Sequence, residues 1–293
     1  MKILLISANV ATSPYPIYPI GMSMVAAALK NAGHEVELFD FLQNECSFER
    51  VEEAVQAMTP GLVGVSIRNV DNVNLLHEQR YIDHVRQMVE SIKKQTSVPV
   101  ILGGSGFSVM PDEVLAAVGA DYGIVGEGEA LLCTFIQGLE KGDYPEERVL
   151  RSPQQLQNET IPSAHYDPRM LSFYMDASRV ISIQTKRGCN KHCIYCSYPT
   201  LEGRELRMRN VAEVVDDIEL LIQQGASYIF FVDSVFNDSD GNYRELIEEM
   251  VRRKINIPWT AFFTPGGELD DDIVAKMKAT GLHSAEMGAD AST

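Results

Sequence analysis

The chain has 293 residues, enough for two domains, and 45% of them are hydrophobic, an ordinary share for a globular protein. A formal net charge of −16 argues against a nucleic-acid surface, which needs a basic stripe, and reads as a solvated acidic exterior. No run of eighteen apolar residues could span a membrane, and Met1-Lys2-Ile3-Leu4-Leu5-Ile6 is too short for a secretory signal; five cysteines, three of them clustered, fit a reducing cytoplasm better than a disulfide framework.

From the N-terminus, short apolar runs alternate with helical patterns. Strands are expected at 3–7, 36–40, 62–67, 98–102 and 121–125, with helices at 21–32, 48–57, 81–94, 111–118 and 129–141. The alternation implies right-handed crossovers and a parallel sheet covered on both faces, a doubly wound, Rossmann-like α/β domain over residues 1–142. Ligands of such sheets bind beyond the carboxyl ends of the strands. The loop after the first strand lacks the glycines of a dinucleotide site. After the fourth strand comes Gly103-Gly104-Ser105-Gly106, where missing side chains admit either a ligand or a plain tight turn. Gly126-Glu127-Gly128-Glu129 follows the fifth and places acids at a helix N-terminus, where the dipole favours them.

Residues 143–178 read as a linker, because Pro145, Pro153, Pro162 and Pro168 leave little room for long helices. Alternation then resumes over 179–293, with strands expected at 180–185, 228–232, 259–263 and 283–287 and helices at 211–224, 243–254 and 270–280. Short helix-to-strand connections suit a (β/α) barrel, whose function gathers at the carboxyl ends of its strands. Only four barrel strands fit before Thr293, so the expectation is a barrel cut short, either a fragment or a truncated gene product.

At the end of the first barrel strand stands Cys189-x-x-x-Cys193-x-x-Cys196. Thiolates select zinc, copper(I) or iron–sulfur clusters. A closed zinc site needs a fourth ligand, and His192 beside Cys193 reaches a shared ion only through a distorted turn. Three sulfurs suit a four-iron cluster with one open corner; zinc ligation and unligated core cysteines are the alternatives. Arg204, Arg207 and Arg209 follow as a basic patch, which either contacts a carboxylate or phosphate or forms a solvated face.

The tract Thr185-Lys186-Arg187-Gly188-Cys189-Asn190-Lys191-His192-Cys193-Ile194-Tyr195-Cys196-Ser197-Tyr198-Pro199 resembles the cluster loop of the radical S-adenosylmethionine enzymes. Ser66 and Gly103-Gly104, together with the stretches at 29–36 and 126–129, resemble the cobalamin-binding domain that precedes many of their barrels. The Asp-x-His-x-x-Gly signature that supplies a lower cobalt ligand is absent, and Arg68 stands where a leucine is usual.

The resemblance implies a 4Fe-4S cluster held by Cys189, Cys193 and Cys196, S-adenosyl-L-methionine on its open iron, and cobalamin. It makes Tyr195 a neighbour of the adenine, Asp233 and Ser234 partners of the methionine end, and Glu286 a residue facing the nucleoside. Ser66, Gly103 and Gly104 would flank the nucleotide tail of cobalamin. The implied activity is methylation of an unactivated carbon through a 5′-deoxyadenosyl radical and methylcobalamin. The alternatives are a non-methylating cyclisation or rearrangement, or a non-catalytic corrinoid and iron–sulfur binding module. A methylthiotransferase would need further N-terminal cysteines, and only Cys46 and Cys133 are present. Implied partners are a small-molecule or natural-product substrate and an electron donor such as a flavodoxin or ferredoxin. No catalytic residue is assigned.

Overall fold

The apolar runs of the first half become five strands of one six-stranded parallel sheet. The structure, a computed structural model, describes residues 1–152, 155–265 and 269–288. The chain forms two units, the first comprising Met1–Tyr15, Gly21–Leu156 and Ala164–Met170, the second Pro16–Ile20, Gln157–Ser163 and Leu171 onward.

In the first unit the elements run β1 (Lys2–Ser7), α1 (Ile20–Asn31), β2 (Glu35–Asp40), α2 (Phe48–Met58), β3 (Leu62–Ser66), α3 (Tyr81–Gln95), β4 (Val100–Gly103), α4 (Ser105–Val109), α5 (Pro111–Val118), β5 (Tyr122–Val125), α6 (Glu129–Glu140) and β6 (Val149–Arg151). The sheet order is β2-β1-β3-β4-β5-β6. Leu4, Ile6, Val63, Val65, Val100 and Leu102 share one core with residues of α2, α3 and α5. The alternate positions Ile3, Leu5 and Ile101 are buried as well. Both faces are therefore covered, which is why these strands read as continuous apolar runs. Each such side chain contributes about 1.5–3 kcal/mol by leaving water.

Two elements fall where the proline content pointed to a linker. β6 is a three-residue edge strand pairing with β5, too short and too exposed to leave a pattern. The helix α7 (Pro168–Ala177) starts on its proline, whose fixed φ suits a first helical position, and Asp167 Oδ1 accepts from the backbone N–H of Arg169 and Met170.

The second unit continues with β7 (Val180–Ile183), β8 (Lys186–Arg187), α8 (Tyr198–Glu202), β9 (Arg207–Met208), α9 (Val211–Gln223), β10 (Tyr228–Phe231), α10 (Asn242–Arg252), β11 (Trp259–Phe263), α11 (Asp271–Thr280) and β12 (Leu282–Met287). Strands β7, β10, β11 and β12 lie side by side in chain order, all parallel. Trp259 anchors this core, with its ring centroid 5.3 Å from that of Phe231 and 5.1 Å from that of Phe236. The apolar stripe of α9 buries Val214, Val215, Ile218 and Leu221, while Val211 is half-buried and Ile222, at its edge, is exposed. β8 and β9 pair antiparallel as a separate ribbon. Among the described residues no helix is long and apolar enough to cross a membrane.

Candidate functional site

In the first unit the sheet order turns back at β1, which lies between β2 and β3. The carboxyl ends of strands at such a switch point form a natural ligand crevice. There Ser7 of β1 is level with Ser66 of β3, and Ser66 with Gly103 of β4. The loops beyond are stitched together: Ala8 N–H donates to Ser66 O at 3.0 Å, and Ile67 N–H to Gly103 O at 2.8 Å. Gly106 N–H donates to Ile67 O at 2.9 Å.

The two glycines of the pair differ. A Cβ on Gly104, at φ +92°, would sit 2.5 Å from Ile67 O, so that residue is fixed by a close backbone approach. A Cβ on Gly103 would meet nothing within 4 Å. Gly103 leaves open space beside half-buried Ser66, whereas Gly104 makes the turn that holds it there.

In the second unit the cysteine loop is an excursion from the β8–β9 ribbon. At its root, Cys189 N–H donates to Gly203 O at 3.1 Å and Gly188 N–H to Glu202 Oε2 at 3.3 Å. Arg204 reaches Lys191 O at 3.0 Å, and Asn190 reaches Ser239 Oγ at 2.8 Å. Cys189 is buried, Cys196 half-buried and Cys193 exposed, and Tyr195 is 68% exposed between the last two.

The expected basic patch is not one. Arg207 and Arg209 are buried structural residues: Arg207 donates to Glu202 O at 2.6 Å, while Arg209 binds Gln184 O at 2.9 Å, Ser163 Oγ at 2.6 Å and Asp217 Oδ2 at 2.7 Å. Only Arg204 is exposed.

Asp233, expected at the cofactor, is 1% exposed. Its Oδ1 accepts from Thr185 N–H at 2.7 Å and Lys186 N–H at 3.2 Å, and its Oδ2 from the Thr185 hydroxyl. Burial pushes its carboxyl above the ordinary range, against the pull of Lys186 and these bonds. Ser234 donates to Glu202 Oε2 at 3.1 Å. Burial likewise raises the Glu202 carboxyl, opposed first by Arg187 and then by the Gly188 N–H and Ser234 hydroxyl. Glu286 is exposed on β12, level with Phe262 of β11.

The B12 binding domain family matches residues 6–136, and the Radical SAM superfamily matches residues 183–293. The chain is a cobalamin-binding-domain member of the radical S-adenosylmethionine family. Its first unit is the Rossmann-like B12-binding fold, and its second supplies four strands of the radical barrel. A tryptophan 2-C-methyltransferase of Streptomyces laurentii is 24% identical over 94% of this chain. TsrM, a radical S-adenosylmethionine methyltransferase from Kitasatospora setae, was solved with tryptophan and a S-adenosylmethionine analogue; it is 27% identical over 99% of this chain, with a TM-score of 0.87. A second TsrM structure holds cobalamin and a 4Fe-4S cluster, with a TM-score of 0.84. The fold also matches OxsB, a cobalamin-dependent radical enzyme, at a TM-score of 0.76 and 16% identity. The chain spans 57% of the length of the Streptomyces methyltransferase and 59% of the TsrM chain with tryptophan.

The residues fit the cofactors of this family in two respects. Gly103 leaves open space level with Ser66, room of the kind a nucleotide tail would need. The loop offers three thiols within eight residues, soft donors of the kind iron–sulfur clusters take. Among the described residues no three His, Cys, Asp or Glu side chains are gathered closely enough to hold a metal ion.

Sequence reasoning missed Glu202, Gln184 and the Thr185–Lys186–Asp238 group. Glu202 carried one usable signal, an acid six residues after the last cysteine in a short helix. Thr185 and Lys186 bind partners far along the chain, and Gln184 links Arg187 to Glu202.

Proposed function

We propose that the chain is the cofactor-bearing part of a cobalamin-dependent radical S-adenosylmethionine methyltransferase that methylates an unactivated carbon of a small molecule or natural product. One observation carries the reading: a single chain joins a B12 binding domain to a radical barrel whose cysteine loop is tied at its root. The likeness to TsrM over 99% of the chain supports methyl transfer as the reaction type.

Cys189, Cys193 and Cys196 hold the 4Fe-4S cluster, and Tyr195 lies against the adenine of S-adenosylmethionine. Ser234 and Glu286 serve the same cofactor, and Ser66, Gly103 and Gly104 seat the cobalamin tail. When bound, these groups supply an electron for cleavage of S-adenosylmethionine and a carrier for its methyl group. The chain's own residues fix geometry: the β8–β9 ribbon holds the loop, and the stitched strand ends of β1, β3 and β4 keep the crevice open. The electron comes from a flavodoxin- or ferredoxin-type donor, in keeping with a reducing cytoplasm and five free thiols.

The test is anaerobic incubation of the reconstituted chain with S-adenosylmethionine and a reductant, with nucleoside products separated by chromatography. Formation of S-adenosylhomocysteine dependent on cobalamin supports methyl transfer. 5′-Deoxyadenosine alone points to a non-methylating radical enzyme, and neither product points to a binding module.

A further inference from the structure

We infer that Asp233 touches no cofactor and instead fixes the root of the cysteine loop, as a positioning residue acting through Thr185 and Lys186. The inference rests on the proposed function only in taking that loop to hold a cluster.

β7 ends at Ile183 and β8 starts at Lys186, so the chain leaves one sheet for the other across Gln184 and Thr185. A strand that ends this way exposes backbone donors that must be satisfied inside the protein. Asp233, just past the end of β10, satisfies two of them and the Thr185 hydroxyl. Three residues after Lys186 comes Cys189. The carboxylate is not a helix cap, since α10 begins only at Asn242, and there Asp238 Oδ1 accepts from the Asn242 N–H at 3.2 Å.

The side chain of Lys186 completes the arrangement. Its Nζ donates to Asp238 Oδ2 at 2.7 Å and to Phe236 O at 2.6 Å, 5.4 Å from the centre of the Phe236 ring. Lys186 and Asp238 are a matched buried pair, so ionised Asp233 leaves this group with one excess negative charge. Three of the four lone-pair sites of this carboxylate already take hydrogen bonds, and the fourth, on Oδ2, lies where water does not reach, so it is not offered to an ammonium group. An isosteric amide keeps both backbone bonds, because its oxygen accepts from the two N–H groups, and it replaces the third by one of opposite direction, its NH2 donating to the Thr185 hydroxyl oxygen. Removing the side chain orphans the donors.

The test is alkylation of the 293-residue apo-chain by iodoacetamide, followed by mass spectrometry. Cys189 is buried and reports the root, while exposed Cys193 is the internal reference. The Cys189-to-Cys193 rate ratio should rise about tenfold or more in Asp233→Ala and stay within about twofold of wild type in Asp233→Asn. An unchanged ratio in Asp233→Ala overturns the inference. If Asp233→Ala fails to fold, Thr185→Val, which deletes only the hydroxyl bond, replaces it with an expected rise of about threefold, and no rise overturns the inference. In the iron-loaded protein, Asp233→Asn should keep the change that S-adenosylmethionine induces in the electron paramagnetic resonance spectrum of the reduced cluster. Loss of that change with iron retained assigns Asp233 to the cofactor and overturns the inference. A wild type that takes up no iron refutes the proposed function, and the alkylation ratio still decides the positioning role.

Discussion

A side-chain carbon on Gly188 would lie 1.9 Å from the carbonyl oxygen of Glu205. The segments just beyond β8 and just before β9 approach at a distance only glycine allows, and Gly188 also has φ +89°. Its neighbour Cys189 donates its N–H to Gly203 O at 3.1 Å in the same turn. Gly188→Ala should cut iron uptake from about four atoms per chain to under about one while leaving cobalamin retention unchanged, as read by iron assay and absorbance after desalting. Full iron uptake would show that this approach does not set the cluster site.

The two crevice glycines should separate folding from binding. Gly103→Ala meets no atom in the protein, so its thermal unfolding should match wild type while cobalamin retention falls. Gly104→Ala forces a Cβ against Ile67 O at positive φ and should cost about 1–3 kcal/mol in urea unfolding followed by circular dichroism. Equal cobalamin retention by wild type and Gly103→Ala would remove Gly103 from the site.

The Lys186–Asp238 pair should govern the stability of the second unit. Burial would raise the Asp238 carboxyl, but the Lys186 ammonium and the N–H groups of Asn242 and Asp240 outweigh it and hold it below the usual value of 3.8. A depressed folded value means the unfolded chain binds the proton first, so this stabilisation is present above pH 3.8 and fades as pH falls through the folded value. The single tryptophan, Trp259, is buried in this unit and reports its unfolding. The gap between urea midpoints of wild type and Asp238→Asn should be widest above pH 5 and narrow toward pH 3. At neutral pH Lys186→Met should cost about 3–5 kcal/mol, since it strands a buried carboxylate. A cost below about 1 kcal/mol would mean that water relieves Asp238.

What was legible depended on whether the cause was local. The strands of the first unit showed because residues such as Leu4 and Ile6 face one buried layer while Ile3 and Leu5 face another, leaving no polar position in the run. The cysteine spacing showed because its chemistry lies within eight residues. The loop root did not show, because Lys186 and Asp238 are 52 residues apart and Thr185 and Asp233 are 48 apart. Arginines after the cysteines look like a surface patch until Asp217 and Ser163 are found around Arg209. Phe107 in α4 was equally silent, since its reason is Gly123: a Cβ there would overlap the Phe107 ring at 2.0 Å.

Cofactor stoichiometry tests whether one chain seats both cofactors. The protein would be reconstituted anaerobically with iron, sulfide and hydroxocobalamin, desalted, and measured for iron, zinc and corrinoid absorbance. About four irons and about one cobalamin per chain are expected. Zinc without iron, or iron without cobalamin, would contradict that expectation.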